Sequence, residues 1–289
     1  MHEIFAPSMA LDRAERDRQF SPSRSAKDAA GALARMVERT DAALRDTDIT
    51  VERDLVYGAR PRARLDLFRP SQAGAEALPC LAFIHGGFWQ EGDKSVSGFA
   101  AARFAAQGWA WASIGYTLTP DVSLTELTGE ICDALDFLHA RAAALGLDAN
   151  RIVLAGHSAG GHLAAIALAD VLDRGSARKI AGAVLVSGVF ELAPVAASYV
   201  NDLARLSAAE VQRLSPARCE PQAHVPVHIL YGADEPEAFR LQSEGLHRLW
   251  APHLDRLSLS VTRGRDHFDV LDEMNDPASE TMRRIAEMV

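Results

Sequence analysis

The stretch that most constrains this chain is Arg151-Ile-Val-Leu-Ala-Gly-His-Ser-Ala-Gly-Gly-His-Leu163. Ile152 to Ala155 is a short apolar run, β-branched at two positions, and reads as a buried strand. Gly156-His157-Ser158-Ala159-Gly160 then fits G-x-S-x-G, and Leu163 to Leu172 continues with helical spacing. Strand, tight turn and helix around one serine is the context of a nucleophile elbow, in which a strained turn lifts the hydroxyl above a sheet. Glycines flank the serine because a Cβ there would collide with the neighbouring strand and helix. Five residues alone also fit an ordinary βα turn that happens to hold a serine, so the rest of the chain must decide.

At 289 residues and 48% hydrophobic content the chain can bury a large core. Its net charge of −9, without a long Lys/Arg run, argues against nucleic acid or an anionic membrane as partner. Cys80, Cys132 and Cys219 are few, odd in number and far apart, which suits reduced thiols rather than a disulfide framework. Met1 to Phe20 is rich in charge and lacks an apolar signal core, and no apolar run approaches the ~20 residues that span a bilayer. These features predict a soluble, cytoplasmic protein acting on a small molecule, and they leave a homo-oligomer open.

Taken in order, residues 1–27 carry charge, Pro7, Pro22 and several serines, with Phe5, Leu11 and Phe20 as apolar anchors. Asp28 to Leu44 is helix-like. Residues 1–45 read equally as a solvated extension or as a cap over the site. Val51–Tyr57 and Ala63–Phe68 alternate as an antiparallel pair, and Leu78–Ile84 is a nearly continuous apolar strand ending in His85-Gly86-Gly87-Phe88-Trp89. Phe99–Ala106 is helical and Ala110–Ile114 is a buried strand. Leu124, Leu127, Ile131, Leu135, Leu138, Ala142 and Leu145 share one helical face, closed by Gly146. After the elbow, strand-like Ala183–Val186, Val227–Tyr231 and Leu257–Val261 alternate with helical stretches, notably Phe239–Leu249 and Ser279–Met288. The alternation predicts one α/β domain over residues 1–289, a mostly parallel twisted sheet with helices on both faces. In such sheets the chemistry gathers at the carboxyl ends of the strands.

A serine needs a base, and the base needs an orienting acid. In this architecture they follow in the order Ser, acid, His, each just past a later strand. His267, in Thr262-Arg-Gly-Arg-Asp-His-Phe-Asp269, lies immediately past the last predicted strand. For the acid, Asp234 follows Val227–Tyr231 through Gly232-Ala233, with Glu235 and Glu237 as rivals on the same loop. Asp266 adjoins His267, but adjacent side chains seldom point so that one holds the other's ring. Asp234 is favoured. Gly86 and Gly87 let the backbone approach a substrate oxygen closely, and the N–H of Ala159 supplies the other oxyanion donor. His157, His162, His267 and Asp269 raise the question of a metal, but no H-E-x-x-H or paired-Cys spacing is present, so neither metal nor cofactor is expected.

With these residues in hand, the sequence resembles the serine-hydrolase type of arylformamidase, also called kynurenine formamidase, within the α/β-hydrolase fold. The likeness runs along nearly the whole chain, through Phe20-Ser-Pro-Ser-Arg24, His85-Gly-Gly-Phe-Trp89, the elbow with its trailing Gly-His-Leu163, Val186-Ser-Gly-Val-Phe190, Phe239-Arg-Leu-Gln-Ser243 and Arg263-Gly-Arg-Asp-His-Phe-Asp269. It implies a triad of Ser158, Asp234 and His267 and an oxyanion hole of Gly86, Gly87 and Ala159. One departure stands out. The acid loop Asp234-Glu-Pro-Glu-Ala-Phe239 is one residue longer than that family's usual Asp-x-Pro-x-Phe.

The reaction so implied is hydrolysis of an N-formyl arylamine, with N-formyl-kynurenine as the model substrate. Phe88, Trp89, Tyr116 and Phe190 are candidates to surround the aromatic leaving group, or else to pack the core. A broad carboxylesterase is the rival within the class, and a silent ligand-binding hydrolase fold is the rival outside it. An intact set of serine, acid and histidine argues against the silent version.

Overall fold

The computed structural model describes residues 2–72, 74 and 76–289. Eight strands form one sheet: β1 (Ile49–Val56), β2 (Arg64–Pro70), β3 (Leu78–Ile84), β4 (Ala110–Ile114), β5 (Leu147–His157), β6 (Gly182–Val186), β7 (Val227–Gly232) and β8 (Leu257–Thr262). Their spatial order is β1-β2-β4-β3-β5-β6-β7-β8. The expected hairpin of β1 and β2 is antiparallel, and β2 joins β4 antiparallel. From β4 to β8 every pairing is parallel.

The apolar strand runs follow from this burial. On β3, Cys80, Ala82 and Ile84 enter one core while Leu81 and Phe83 enter the other. Ile152 and Leu154 part from Val153 and Ala155 in the same way, as do Ala183 and Leu185 from Val184 and Val186. Successive side chains thus serve opposite faces, and both faces are covered, so polar alternation never appears. Helices Leu124–Arg141, Ala159–Leu168 and Glu237–Trp250 bury Leu127, Leu163 and Leu246 on one side. Helix Glu280–Ala286 buries Met282 and Ile285 on the other.

Boundaries moved where periodicity is silent. The helix after the elbow occupies Ala159–Leu168, not Leu163–Leu172, because all its residues are buried and no amphipathic stripe marks its start. It stops at Asp170, whose backbone turns to a φ of 46° and whose carboxylate accepts the N–H groups of Arg174, Gly175 and Ser176. Helix Leu124–Arg141 opens with a capping box between Ser123 and Glu126 and is closed beyond by Gly146 in the left-handed region.

The N-terminal segment is packed along its length. Short helices Ala6–Ala10, Arg13–Gln19 and Pro22–Ser25 lead into Ala29–Arg45. Phe5 and Phe20 are fully buried, and Phe20 meets Phe239 edge-on with ring centroids 5.7 Å apart. The buried Arg16 guanidinium donates to the carbonyls of Ser8, Met9, Leu11 and Ala197, which satisfies a charge that burial alone would penalise. Among the described residues no helix is long and apolar enough to cross a membrane.

Two glycines give opposite tests of this packing. A Cβ on Gly160 would stand 2.0 Å from the Ile84 carbonyl oxygen, whereas one on Gly129, inside helix Leu124–Arg141, would meet nothing within 4 Å. Gly129→Ala should stabilise by about 1 kcal/mol through helix propensity, while Gly160→Ala should destabilise by about 3 kcal/mol or prevent folding. Chemical denaturation of the two variants checks both signs.

Candidate active site

β5 ends at His157 and the following helix begins at Ala159, so Ser158 alone forms the corner. Its φ of 56° and ψ of −118° place it in a region that a side-chain-bearing residue enters only under constraint, at a cost of about 1–3 kcal/mol. The constraint is visible. Ser158 N–H donates to the Val186 carbonyl at 2.8 Å, which ties the corner to the end of β6. A Cβ on Gly156 would fall 2.1 Å from the Gly160 oxygen, and Gly160 abuts the end of β3. Both glycines of the motif are therefore required by close approach.

The continuation of β3 forms the facing wall. Gly86 and Gly87 line the same cavity as Ser158, and a Cβ on Gly86 would come within 3.0 Å of Ser158 Cβ. Ala159 opens its helix, so its N–H is among the amides that have no carbonyl partner inside the helix. His267 lines this cavity too, on the loop after β8. Ser158 and His267 share this wall without a hydrogen bond between Ser158 Oγ and the ring among the described residues.

The carboxylate that meets His267 differs from the expected Asp234 by one residue. His267 Nδ1 is hydrogen-bonded to Glu235 Oε2 at 2.9 Å, and both side chains are buried. Glu235 Oε1 accepts from Ser187 Oγ at 2.5 Å and from Gly232 N–H at 2.7 Å. Asp234 instead turns outward and meets Lys27 Nζ at 2.5 Å, with both side chains well exposed. The physical reason lies in the turn. Asp234 N–H donates to the Arg265 carbonyl and Glu235 N–H to Gly232, which leaves Glu235 facing back under β7, where its longer side chain reaches the histidine.

The other rivals are also placed. Glu237 begins helix Glu237–Trp250 and is exposed. Asp266 is occupied as the bracket of the histidine loop, accepting the N–H groups of Lys27, Phe268 and Asp269. Partial burial pushes its carboxyl up, but these donors outweigh that and hold it below the usual carboxylate range.

The cavity measures about 320 Å³. Of the aromatic residues expected around a leaving group, Phe88 lines it, with a left-handed φ of 46°. Trp89, Tyr116 and Phe190 do not; each is fully buried in the core. Tyr116 stacks on His85 and donates to its carbonyl at 2.9 Å, so it supports the Gly86-Gly87 turn from behind. The wall is instead completed by Phe268, Tyr199, Leu33 and Met36, with Pro22 and Ser23 beside them. Phe268 was legible beside His267. Tyr199, Leu33 and Met36 carried no motif. The charged lining residues are Glu91 and Asp93, and no Lys or Arg is on the wall among the described residues.

Two histidines of the cavity wall, His85 and His157, and a third in the core behind it, His162 against Trp89, are neutral rings. Burial, reinforced by neighbouring His267, pushes His157 down to about 3, and burial pushes His85 and His162 down to about 4. An unfolded histidine takes up its proton near ~6.5. Between that pH and about 4 the unfolded chain therefore binds more protons than the folded one, and stability is lost as pH falls. Each ring contributes a slope of up to about 1.4 kcal/mol per pH unit. Denaturation midpoints should fall steadily from pH 6.5 to 5, above the main carboxylate range. A flat profile there would contradict the neutral-ring arrangement.

Comparison with known proteins bears on the fold and the class of reaction. The BD-FAE family model matches residues 65–181. The kynurenine formamidase of Danio rerio is 27% identical over 283 residues, covering 92% of this chain and 93% of its own. That of Salmo salar is 28% identical over 286 residues and covers 92% of each. Among solved structures, a candidate thioesterase from Silicibacter sp. TM1040 superposes with a TM-score of 0.82 at 29% identity, covering 94% of this chain and 99% of that one. The chain is a hydrolase of the α/β-hydrolase fold, and its likeness to the kynurenine formamidases runs along nearly its whole length.

Proposed function

We propose that the protein is a serine hydrolase that cleaves an N-formyl arylamine, of the N-formyl-kynurenine type, to formate and the free amine. The observation that carries this reading is the buried Glu235–His267 pair, whose histidine lines the same cavity as the strained Ser158. Likeness to two formamidases along nearly the whole chain supports the choice of leaving group.

In this reading His267 takes the Ser158 proton as the serine oxygen attacks the formyl carbon. Backbone N–H groups of Gly86, Gly87 and Ala159 hold the oxyanion, an interaction worth about 3–4 kcal/mol per donor. The imidazolium then returns its proton to the leaving arylamine, and water releases formate from the formyl-serine by the same route in reverse. Glu235 stabilises the imidazolium, and its second oxygen is anchored by Ser187 and Gly232, so it cannot rotate away. An anilide nitrogen leaves more readily than an alkylamine, and formyl is the smallest acyl group. An esterase-like site therefore suffices.

Phe88, Phe268, Leu33, Met36 and Tyr199 offer apolar surface to an aryl leaving group. The N-terminal segment, which supplies two of these, acts in this proposal as a fixed cap. Glu91 is the acidic wall residue that suits a substrate ammonium group, Asp93 being already paired with Arg62 at 3.1 Å, whereas a substrate carboxylate finds no Lys or Arg on the described wall. The reading therefore places an amino-acid substrate with its carboxylate toward solvent. A carboxylesterase is the second reading, favoured by the same catalytic groups.

Two tests follow. Glu235→Gln should lower kcat by about 10⁴-fold, as loss of the acid does in other triads. Gly232 N–H and Ser187 would hold the glutamine's oxygen, so its NH₂ would face His267 Nδ1 and force the proton onto the nitrogen that must accept. Asp234→Asn should change kcat less than threefold; the reverse pattern returns the acid to Asp234. In a substrate panel, formyl-kynurenine and formanilide should outrun the matching N-acetyl compounds, and Ser158→Ala should abolish every rate. A higher kcat/KM for a butyryl ester than for any formamide would establish the esterase instead.

A further inference from the structure

We propose that His157, the residue before the nucleophile, is a positioning residue whose imidazole donates from Nε2 to the main-chain carbonyl of His267 at 2.7 Å and so sets the base against the serine. The inference rests on the reading of Ser158 and His267 as nucleophile and base. These two groups come from parts of the chain about 110 residues apart, and chain connectivity does not fix their separation. Glu235 holds the His267 ring at Nδ1, which sets its rotation, and Asp266 brackets the loop from within. Neither bond reaches the elbow. The His157 bond does, because it starts one residue from Ser158 and ends on the residue carrying the base.

The chemistry of the contact is one-directional. A carbonyl can only accept, so the hydrogen must sit on His157 Nε2. Burial keeps this ring neutral, so Nδ1 is left unprotonated, beside Gly86. The two imidazoles also touch, with centroids 4.7 Å apart and planes tilted by 45°, and His157 is 7% exposed. A buried carbonyl of His267 deprived of this donor would have to shift in search of another, and the base would move with it.

The test compares His157→Leu, which removes the donor, with His157→Gln, whose amide nitrogen can stand near the position of Nε2. Turnover of formanilide and p-nitrophenyl acetate and the rate of Ser158 labelling by a fluorophosphonate are measured for each, alongside the melting temperature. His157→Leu should lose 10- to 100-fold in kcat and in labelling rate with KM within threefold. His157→Gln should recover both rates to within threefold of the parent. Should His157→Leu fail to fold, the glutamine variant decides alone: a parental rate supports the proposal, and a loss above tenfold in a folded protein overturns it. A leucine variant with parental kcat, or a folded glutamine variant as slow as leucine, also overturns it. Activity surviving in Ser158→Ala would instead sink the underlying serine reading, so the two failures are distinguishable.

Discussion

The structure depends on the close approach of the elbow helix to the end of β3. Gly160 has room only for hydrogen where a Cβ would stand 2.0 Å from the Ile84 oxygen and 2.7 Å from that of His85. This contact presses the first turn of helix Ala159–Leu168 against the strand that becomes the Gly86-Gly87 loop. Ser158 is thereby held in the strained corner, on the wall of the cavity. The strain at the corner is offset by the two buried cores on either side of the sheet, which hold β3, β5 and β6 in register. A single helix–strand distance thus brings together Ser158, the Gly86-Gly87 loop and the helix N-terminus.

That contact is also why so much was legible. Strands β3 and β4 have the boundaries their apolar runs predicted, and the order of β-strands and helices gave the parallel sheet. The elbow and the histidine loop carry residues whose spacing permits few other arrangements. The carboxylate partner of His267 was misplaced because loop position is set by strand ends, whereas the choice among Asp234, Glu235 and Glu237 depends on which side chain faces inward. Two backbone hydrogen bonds decide this, from Asp234 N–H to Arg265 and from Glu235 N–H to Gly232. The extra residue in the loop and a serine just past β6, Ser187, were the only traces of the shift in sequence.

The pocket was less legible than the catalytic groups for a related reason. Trp89, Tyr116 and Phe190 stand beside site motifs in the chain, but a large aromatic ring beside a motif stabilises more when buried than when it lines a cavity. Here all three are interior. The wall is supplied from far away in sequence: Leu33 and Met36 from helix Ala29–Arg45 and Tyr199 from the segment after β6. Those residues lie on surfaces whose amphipathic pattern is the same whether they face solvent or a ligand. What holds them in place is equally unremarkable in sequence, such as Arg16 on four carbonyls and Phe20 against Phe239.

Electrostatics completes the division of labour between two adjacent imidazoles. His157 and His267 lie 4.7 Å apart, too close in a buried site for both to carry charge without strong repulsion. The surroundings break the tie. His157 faces a backbone carbonyl and no carboxylate, and burial holds it neutral. His267 faces Glu235, whose other oxygen is already held by two donors and is thus fixed in orientation. In the proposed reaction the proton leaving Ser158 therefore has one ring on which a positive charge is compensated, and the neighbouring ring donates a hydrogen bond without competing for it. The same burial that excludes charge from His157 keeps its Nε2–H a donor to the His267 carbonyl, so in the proposed arrangement His267 is held by a ring that stays neutral.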